Sequence, residues 1–139
     1  MGCTRFTVVA AAVGLLLMSS LANAHHGSLG YDYTKMTILK ATITKFLWMN
    51  PHSRVTFDAL DENHVVTHWS VEAPPPAVLT ERGWTRRSLE AGWVVTMYFN
   101  AAQNGSPTGL MRKAVLPSGE DLWAYPSQAL FEKPATRPR

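Results

Sequence analysis

Ala73-Pro74-Pro75-Pro76-Ala77-Val78-Leu79-Thr80-Glu81-Arg82-Gly83 divides the 139-residue chain into two sets of strands and decides how it folds. Three prolines in a row stop a sheet, because each lacks the N–H that a ladder needs. The third sits where a helix can begin, since proline's fixed φ suits the first helical position. Gly83 stands where such a helix can end, so a short helix is predicted over Pro76 to Arg82.

Upstream of that stretch the chain alternates three times between apolar and polar residues. From Met36 to Met49, Leu39, Ala41 and Ile43 alternate with Lys40, Thr42 and Thr44, the pattern of a half-buried strand. The alternation then slips, because Phe46 and Trp48 also call for burial; a bulge near Lys45 reconciles the two halves. Asn50-Pro51 ends this strand. Arg54 to Leu60 puts Val55, Phe57 and Ala59 on one face, and Asp61-Glu62-Asn63 makes a polar hairpin tip. His64 to Glu72 returns with Val65, Thr67, Trp69 and Val71 inside, and with His64, Val66, His68 and Ser70 on the other face.

Downstream, Trp84 to Ala91 reads as a turn-rich connection with one helical turn around Arg86 to Leu89. Trp93 to Ala101 is a strand with Val95, Met97 and Phe99 inside, Asn104-Gly105-Ser106-Pro107 is a turn, and Leu110 to Leu116 is the last full strand. Pro117-Ser118-Gly119 turns the chain into a short ending at Leu122-Trp123. Three strands, a short helix and two more strands are the order of a mainly all-β, five-stranded Greek-key barrel of the OB type, with its helix between strands three and four. A small open sandwich is the competing arrangement.

The first 24 residues have the parts of a secretory signal: Arg5, an apolar run from Phe6 to Met18, and Ala22-Asn23-Ala24 as a small-x-small cleavage site. A run of about 13 residues, rising 1.5 Å each, cannot cross a hydrocarbon core of roughly 30 Å. Cys3 precedes the apolar run, where a lipobox cysteine would follow it, and Phe6 breaks a myristoylation pattern. The expected organisation is therefore a cleaved signal peptide over 1–24 and one domain with an N-terminal arm over 25–123. A Pro-rich flexible tail follows over 124–139. The mature protein is expected in the periplasm or outside the cell, with no integral membrane segment after processing. It carries no cysteine, so its core alone must hold it. Removing Arg5 leaves twelve basic against ten acidic residues, too even a balance to indicate nucleic acid or an anionic membrane.

Four motifs follow one another at characteristic spacing. They are Ala24-His25-His26, Trp48-Met49-Asn50-Pro51-His52, the run from Arg82-Gly83-Trp84-Thr85 through Ser88-Leu89 to Gly92, and Leu116-Pro117-Ser118-Gly119. Together they resemble a bacterial family of small secreted proteins classed as a domain of unknown function. The resemblance covers the mature chain to about Trp123 and departs from the pattern at Glu72-Ala73-Pro74-Pro75-Pro76, where relatives more often carry a Gly-Ser-Pro-type segment. It implies an extracytoplasmic β-domain and directs attention to His25, His26 and His52.

Cleavage after Ala24 would make His25 the first residue, able to chelate a metal with its α-amine and its ring. The amine's ordinary pKa of about 7.7–8.0 makes deprotonation inexpensive near neutral pH. One more imidazole completes a T-shaped set of three nitrogens, which suits Cu(II); His52, beside the Asn50-Pro51 turn, is the first choice. His26 offers another route, in which the amine, a deprotonated amide and its ring form a chelate that needs no fold. The plain alternative is a polar His-His arm and a loop histidine that serves only the turn. His64 and His68 lie four apart on a strand, about 13 Å along it, too far to share one ion.

Five tryptophans exceed what one small core needs, so Trp48 and Trp84, with Asn50 and His52, are candidates for a ligand groove, although most of the five should be core or lid packing. Arg82, Arg86, Arg87, Arg112 and Lys113 are diluted by Glu81, Glu90 and Glu120, which argues against a single-strand nucleic-acid groove. No nucleophile elbow, zincin helix or P-loop is present. The chain thus reads as an exported, non-catalytic binding or accessory module that binds copper through its first histidine and a loop histidine. The alternative is a module of the same fold that presents aromatics and the Asn-Pro-His loop to an envelope protein or small ligand. A copper-dependent oxidative enzyme is the remote third reading.

Overall fold

The computed structural model describes residues 30–125. The segment expected to be a signal peptide, His25, His26 and the rest of residues 1–29, and the tail from residue 126, lie outside the described residues.

Six strands and one helix follow in the expected order: β1 (Thr37–Leu47), β2 (Ser53–Leu60), β3 (Val66–Ala73), α1 (Pro76–Thr80), β4 (Val94–Ala101), β5 (Thr108–Val115) and β6 (Asp121–Trp123). β1 pairs with both β2 and β4, and β4 with β5, all antiparallel. The sheet closes where β3 meets β5 in parallel, from Ser70↔Thr108 to Glu72↔Leu110. This closure makes the mixed five-stranded Greek-key barrel and removes the open sandwich from consideration. β6 adds a short sixth strand on β5.

The first half of β1 pairs with β4 and the second half with β2, and the strand bends between them. The register slips between Ile43, which faces Phe57, and Lys45, which faces Thr56, so Thr44 is the extra residue of a bulge. The first half of β1 sends Ala41 and Ile43 inward, and the second half sends Phe46 against the core. The slip in the apolar alternation marks this corner.

Val55, Phe57, Val71, Val95, Met97, Phe99 and Met111 fill the barrel. Trp69 stacks on Phe57 at 6.4 Å and meets Phe99 edge-on at 4.9 Å. α1 closes one end, and it stops two residues earlier than the sequence suggests. Gly83 takes φ 83°, its N–H donates to the Thr80 carbonyl, and the Trp84 N–H donates to that of Leu79. This glycine-terminated hook carries Leu79 and Trp84 into the same core cluster.

Other boundaries move for local reasons. β3 begins at Val66 and not at His64, because His64 takes φ 63° in a tip held by Asp61, whose carboxylate accepts the N–H groups of Asn63 and Val65. Val65 is consequently exposed and not inward. Between β4 and β5 the register shifts so that Tyr98 faces Lys113 and Phe99 faces Met111, leaving Arg112 as an inserted residue. Tyr31 bridges to Ala102, and the next two residues of the C-terminal region, Ala124 and Tyr125, are packed against the barrel.

Candidate functional site

The loop between β1 and β2 presents the predicted residues of the Trp48–His52 motif. The ladder ends at Leu47↔Arg54. Residues 48–52 form the loop beyond it. Ser53 is fully buried and Trp48 half-buried, packed edge-on against Phe46 at 5.6 Å, whereas Met49, Asn50, Pro51 and His52 are all exposed. The Asn50–Pro51 peptide is cis. Ser53 anchors the base of the loop by donating its N–H to the Pro74 carbonyl, and its buried hydroxyl has no hydrogen-bond partner among the described residues.

The root of the N-terminal arm reaches the neighbouring wall. Arg54, two residues beyond His52, lies 3.8 Å from a Glu72 oxygen, and the other oxygen of Glu72 accepts the Tyr31 hydroxyl at 3.4 Å. Burial, then the Glu72 carboxylate, pushes the Tyr31 phenol far above its ordinary range, so it remains a donor. Asp32 follows with its N–H on the Ala101 carbonyl, and Thr34 caps its carboxylate with both N–H and hydroxyl, which lowers the Asp32 pKa. A cleft of about 220 Å³ beside it is lined by Asp32, Lys35, Thr37 and Gln103 together with Ala101, Ala102 and Gly105. The lining mixes polar and apolar groups and carries no aromatic ring, so it offers no stacking surface to a flat organic ligand.

The other histidines lie elsewhere. His64 is at the opposite end of β2, and His68 stands on the outer face of β3 with its Nδ1 2.6 Å from Asp58. The eight residues of β2 separate the His64 tip from His52 by roughly 25 Å. No group of three His, Cys, Asp or Glu side chains able to hold a metal occurs among the described residues.

Trp84 belongs to the core. It is 1% exposed, lies 5.9 Å from Phe46, and donates its indole N–H to the Trp123 carbonyl. A ring enclosed on all sides offers nothing to a ligand groove, so of the two tryptophans proposed for one only Trp48 is part-exposed.

Two features escaped the sequence reading. Met49, within the Trp48–His52 motif, is 49% exposed on the loop, although its apolar side chain would suit a core. Arg112 is fully buried, with its Nε donating to Asn100 and its guanidinium 5.5 Å from the Tyr33 ring and 5.1 Å from that of Tyr125. Burial disfavours its charged form and lowers its pKa. No signal in the sequence separates this arginine from its exposed neighbours, because the bulge that turns it is a property of the β4–β5 pairing.

No helix among the described residues is long and apolar enough to cross a membrane. No curated protein matches the chain, and no solved structure does. Residues 12–113 match the model of a family of unknown function, DUF6152, a span that takes in the Trp48–His52 loop, the helix hook and all five barrel strands up to Lys113. The chain belongs to that family.

Proposed function

We propose that the protein is exported, processed after Ala24, and works in the cell envelope as a non-catalytic binding module. In this reading it takes up Cu(II) with the α-amine and ring of His25 and with the imidazole of His52. The observation that carries it is the exposure of His52 on the β1–β2 loop, next to the wall on which the arm is rooted through Tyr31 and Glu72. Five residues separate Tyr31 from His25, and the six steps between them span about 20 Å when extended. Three nitrogens in a T arrangement fit the tetragonal preference of Cu(II). His26 supplies the alternative chelate when His52 is absent.

The test compares the processed protein with a form carrying one extra residue before His25. Cu(II) titration and electron paramagnetic resonance should show weaker binding and an altered spectrum in the extended form. Identical affinity and spectrum in both would remove the amine from the ligand set.

A second reading uses the same loop without metal. Met49 and the half-buried Trp48 offer an apolar contact beside Asn50 and His52, which fits an envelope protein or a small ligand. It requires that His25→Ala leave function intact while changes in the loop abolish it.

A further inference from the structure

We infer that the protein self-associates edge to edge: the β2–β3 hairpin presents an open strand edge, Val66 to Trp69, and a second copy of the chain covers it by pairing antiparallel about Thr67. The inference is independent of the copper reading above and uses none of its ligands.

The barrel closes over only part of β3. β5 covers Ser70 to Glu72, while among the described residues Val66 to Trp69 pair with β2 alone. Two backbone bonds show which way this segment points its groups. The Asp61 N–H donates to the Val65 carbonyl, so Val65 turns toward β2, whereas the Ser70 N–H donates to the Pro107 carbonyl on the opposite side. Backbone groups of successive strand residues alternate between the two sides, so Val66 and His68 follow Ser70. Each presents an N–H and a C=O at the open edge. Pro107 ends this window at Ser70, and the turn at His64, with φ 63°, ends it at the hairpin tip.

Nothing on this edge keeps another strand away. Exposed edges are ordinarily blunted by lysine, proline or a bulge, and Val66-Thr67-His68-Trp69 has none of these. β6, by contrast, is only three residues long and carries Asp121. The hairpin is also where apolar side chains gather in solvent. Of the six large ones exposed among the described residues, Leu60 (58%), Val65 (58%) and Val66 (48%) belong to it, and Leu60 and Val66 are direct cross-strand partners.

A second copy fits the window in one register. A two-fold axis at Thr67 sets Val66 of each copy against His68 of the other, and all the open groups of both strands then pair. Sliding by two residues pairs only His68 with His68, or only Val66 with Val66. The same axis places His64 of one copy opposite Ser70 of the other, so each strand turns away where Pro107 begins to cover its neighbour. A longer extended peptide would run into that turn. Exposed Val65 comes alongside the second copy's half-buried Trp69. Like charges stay apart, because His68, held 2.6 Å from Asp58, faces a valine. Two windows this short bury less than the roughly 800 Å² per partner of a standard interface, so the dimer is weak and reversible.

The experiment is sedimentation velocity of the processed protein from micromolar to millimolar concentration, with a chelator present so that no metal bridges two copies. Amide hydrogen exchange is followed on the same samples. The protein should pass from monomer to dimer, and exchange at the Val66 and His68 amides should slow as the dimer forms. Val66→Lys, at a position already in solvent, should weaken the dimer by about tenfold or more with an unchanged circular dichroism spectrum. Ile38→Lys, on an exposed β1 position outside the hairpin, should leave the dimer intact. A monomer at every concentration overturns the inference. Slow exchange of the two amides in a monomer would mean that one of the chain's own termini covers the edge, and a dimer indifferent to Val66→Lys would place the contact elsewhere; either result also overturns it.

Discussion

Arg112 donates from Nε to the Asn100 side-chain oxygen, with both residues fully buried, and Asn100 donates its amide to the carbonyls of Asp32 and Lys35. One side chain thereby joins a buried charge in β5 to the backbone of the N-terminal arm. Tyr33 from the arm and Tyr125 from the C-terminal region pack on the same guanidinium, and the Arg112 carbonyl accepts the N–H groups of Ala124 and Tyr125. Both ends of the described chain are thus secured at one point on the barrel wall.

Asn100→Leu should therefore be among the most damaging single changes. It leaves a buried guanidinium nitrogen and two carbonyls short of a partner, at a cost of roughly 3 kcal/mol in urea denaturation. Asn100→Asp keeps an acceptor for Arg112 but loses the amide donor. Hydrogen exchange should then quicken at residues 32–35 more than in the barrel strands. Uniform quickening would mean that the arm is not held through Asn100.

Stability should fall at alkaline pH, with the tyrosines as the cause. Burial raises the pKa of Tyr31, Tyr33 and Tyr125, with the Glu72 carboxylate adding to the effect at Tyr31. Each is kept neutral in the folded state above the value near 10 expected of an unfolded chain. Their contribution is complete below about pH 10 and is lost as pH rises through the folded values, because the unfolded chain releases those protons first. Tyr31→Phe should flatten the decline in Tm between pH 10 and 11. An unchanged slope would show that Tyr31 ionises equally in both states.

Gly109 sits at the seam where β3 closes on β5. A Cβ there would come within 2.5 Å of a Phe99 ring carbon and 2.8 Å of the Asn100 carbonyl oxygen. Gly109→Ala should cost about 1–3 kcal/mol through displacement of Phe99, seen as a lower Tm and altered near-ultraviolet circular dichroism. A neutral effect would mean that the seam yields without disturbing the core.

Trp84 and His52 should separate stability from binding. Trp84→Ala empties the barrel plug and removes a hydrogen bond, at about 3–5 kcal/mol. His52→Ala, on an exposed loop, should change Tm little and abolish tight Cu(II) binding by the intact fold. Large destabilisation by His52→Ala would assign that histidine a structural role.

Much of the fold was legible because it rests on local physics. Alternation located the faces of Val55–Phe57–Ala59 and Val95–Met97–Phe99, the proline run separated the two sets of strands, and Gly83 marked the end of α1. The slip between Ile43 and Phe46 even announced the bend in β1. Errors arose where one residue's backbone geometry overrode the pattern: Val65 alternates like a core residue, but the Asp61 tip leaves it in solvent. Among candidate site residues, the exposure of His52 agrees with a loop position read from Asn50-Pro51. Trp84 could not be separated from Trp48, because both are large rings beside turns.

The division follows from range. The order of the elements and the inward faces were determined by the sequence alone, since periodicity and turn chemistry act over a few neighbouring residues. Tertiary structure decided the parallel β3–β5 closure and the burial of Trp84 and Arg112. Those depend on register and on contacts between distant segments, such as Arg112 with Tyr33, and no local pattern encodes which segments will meet.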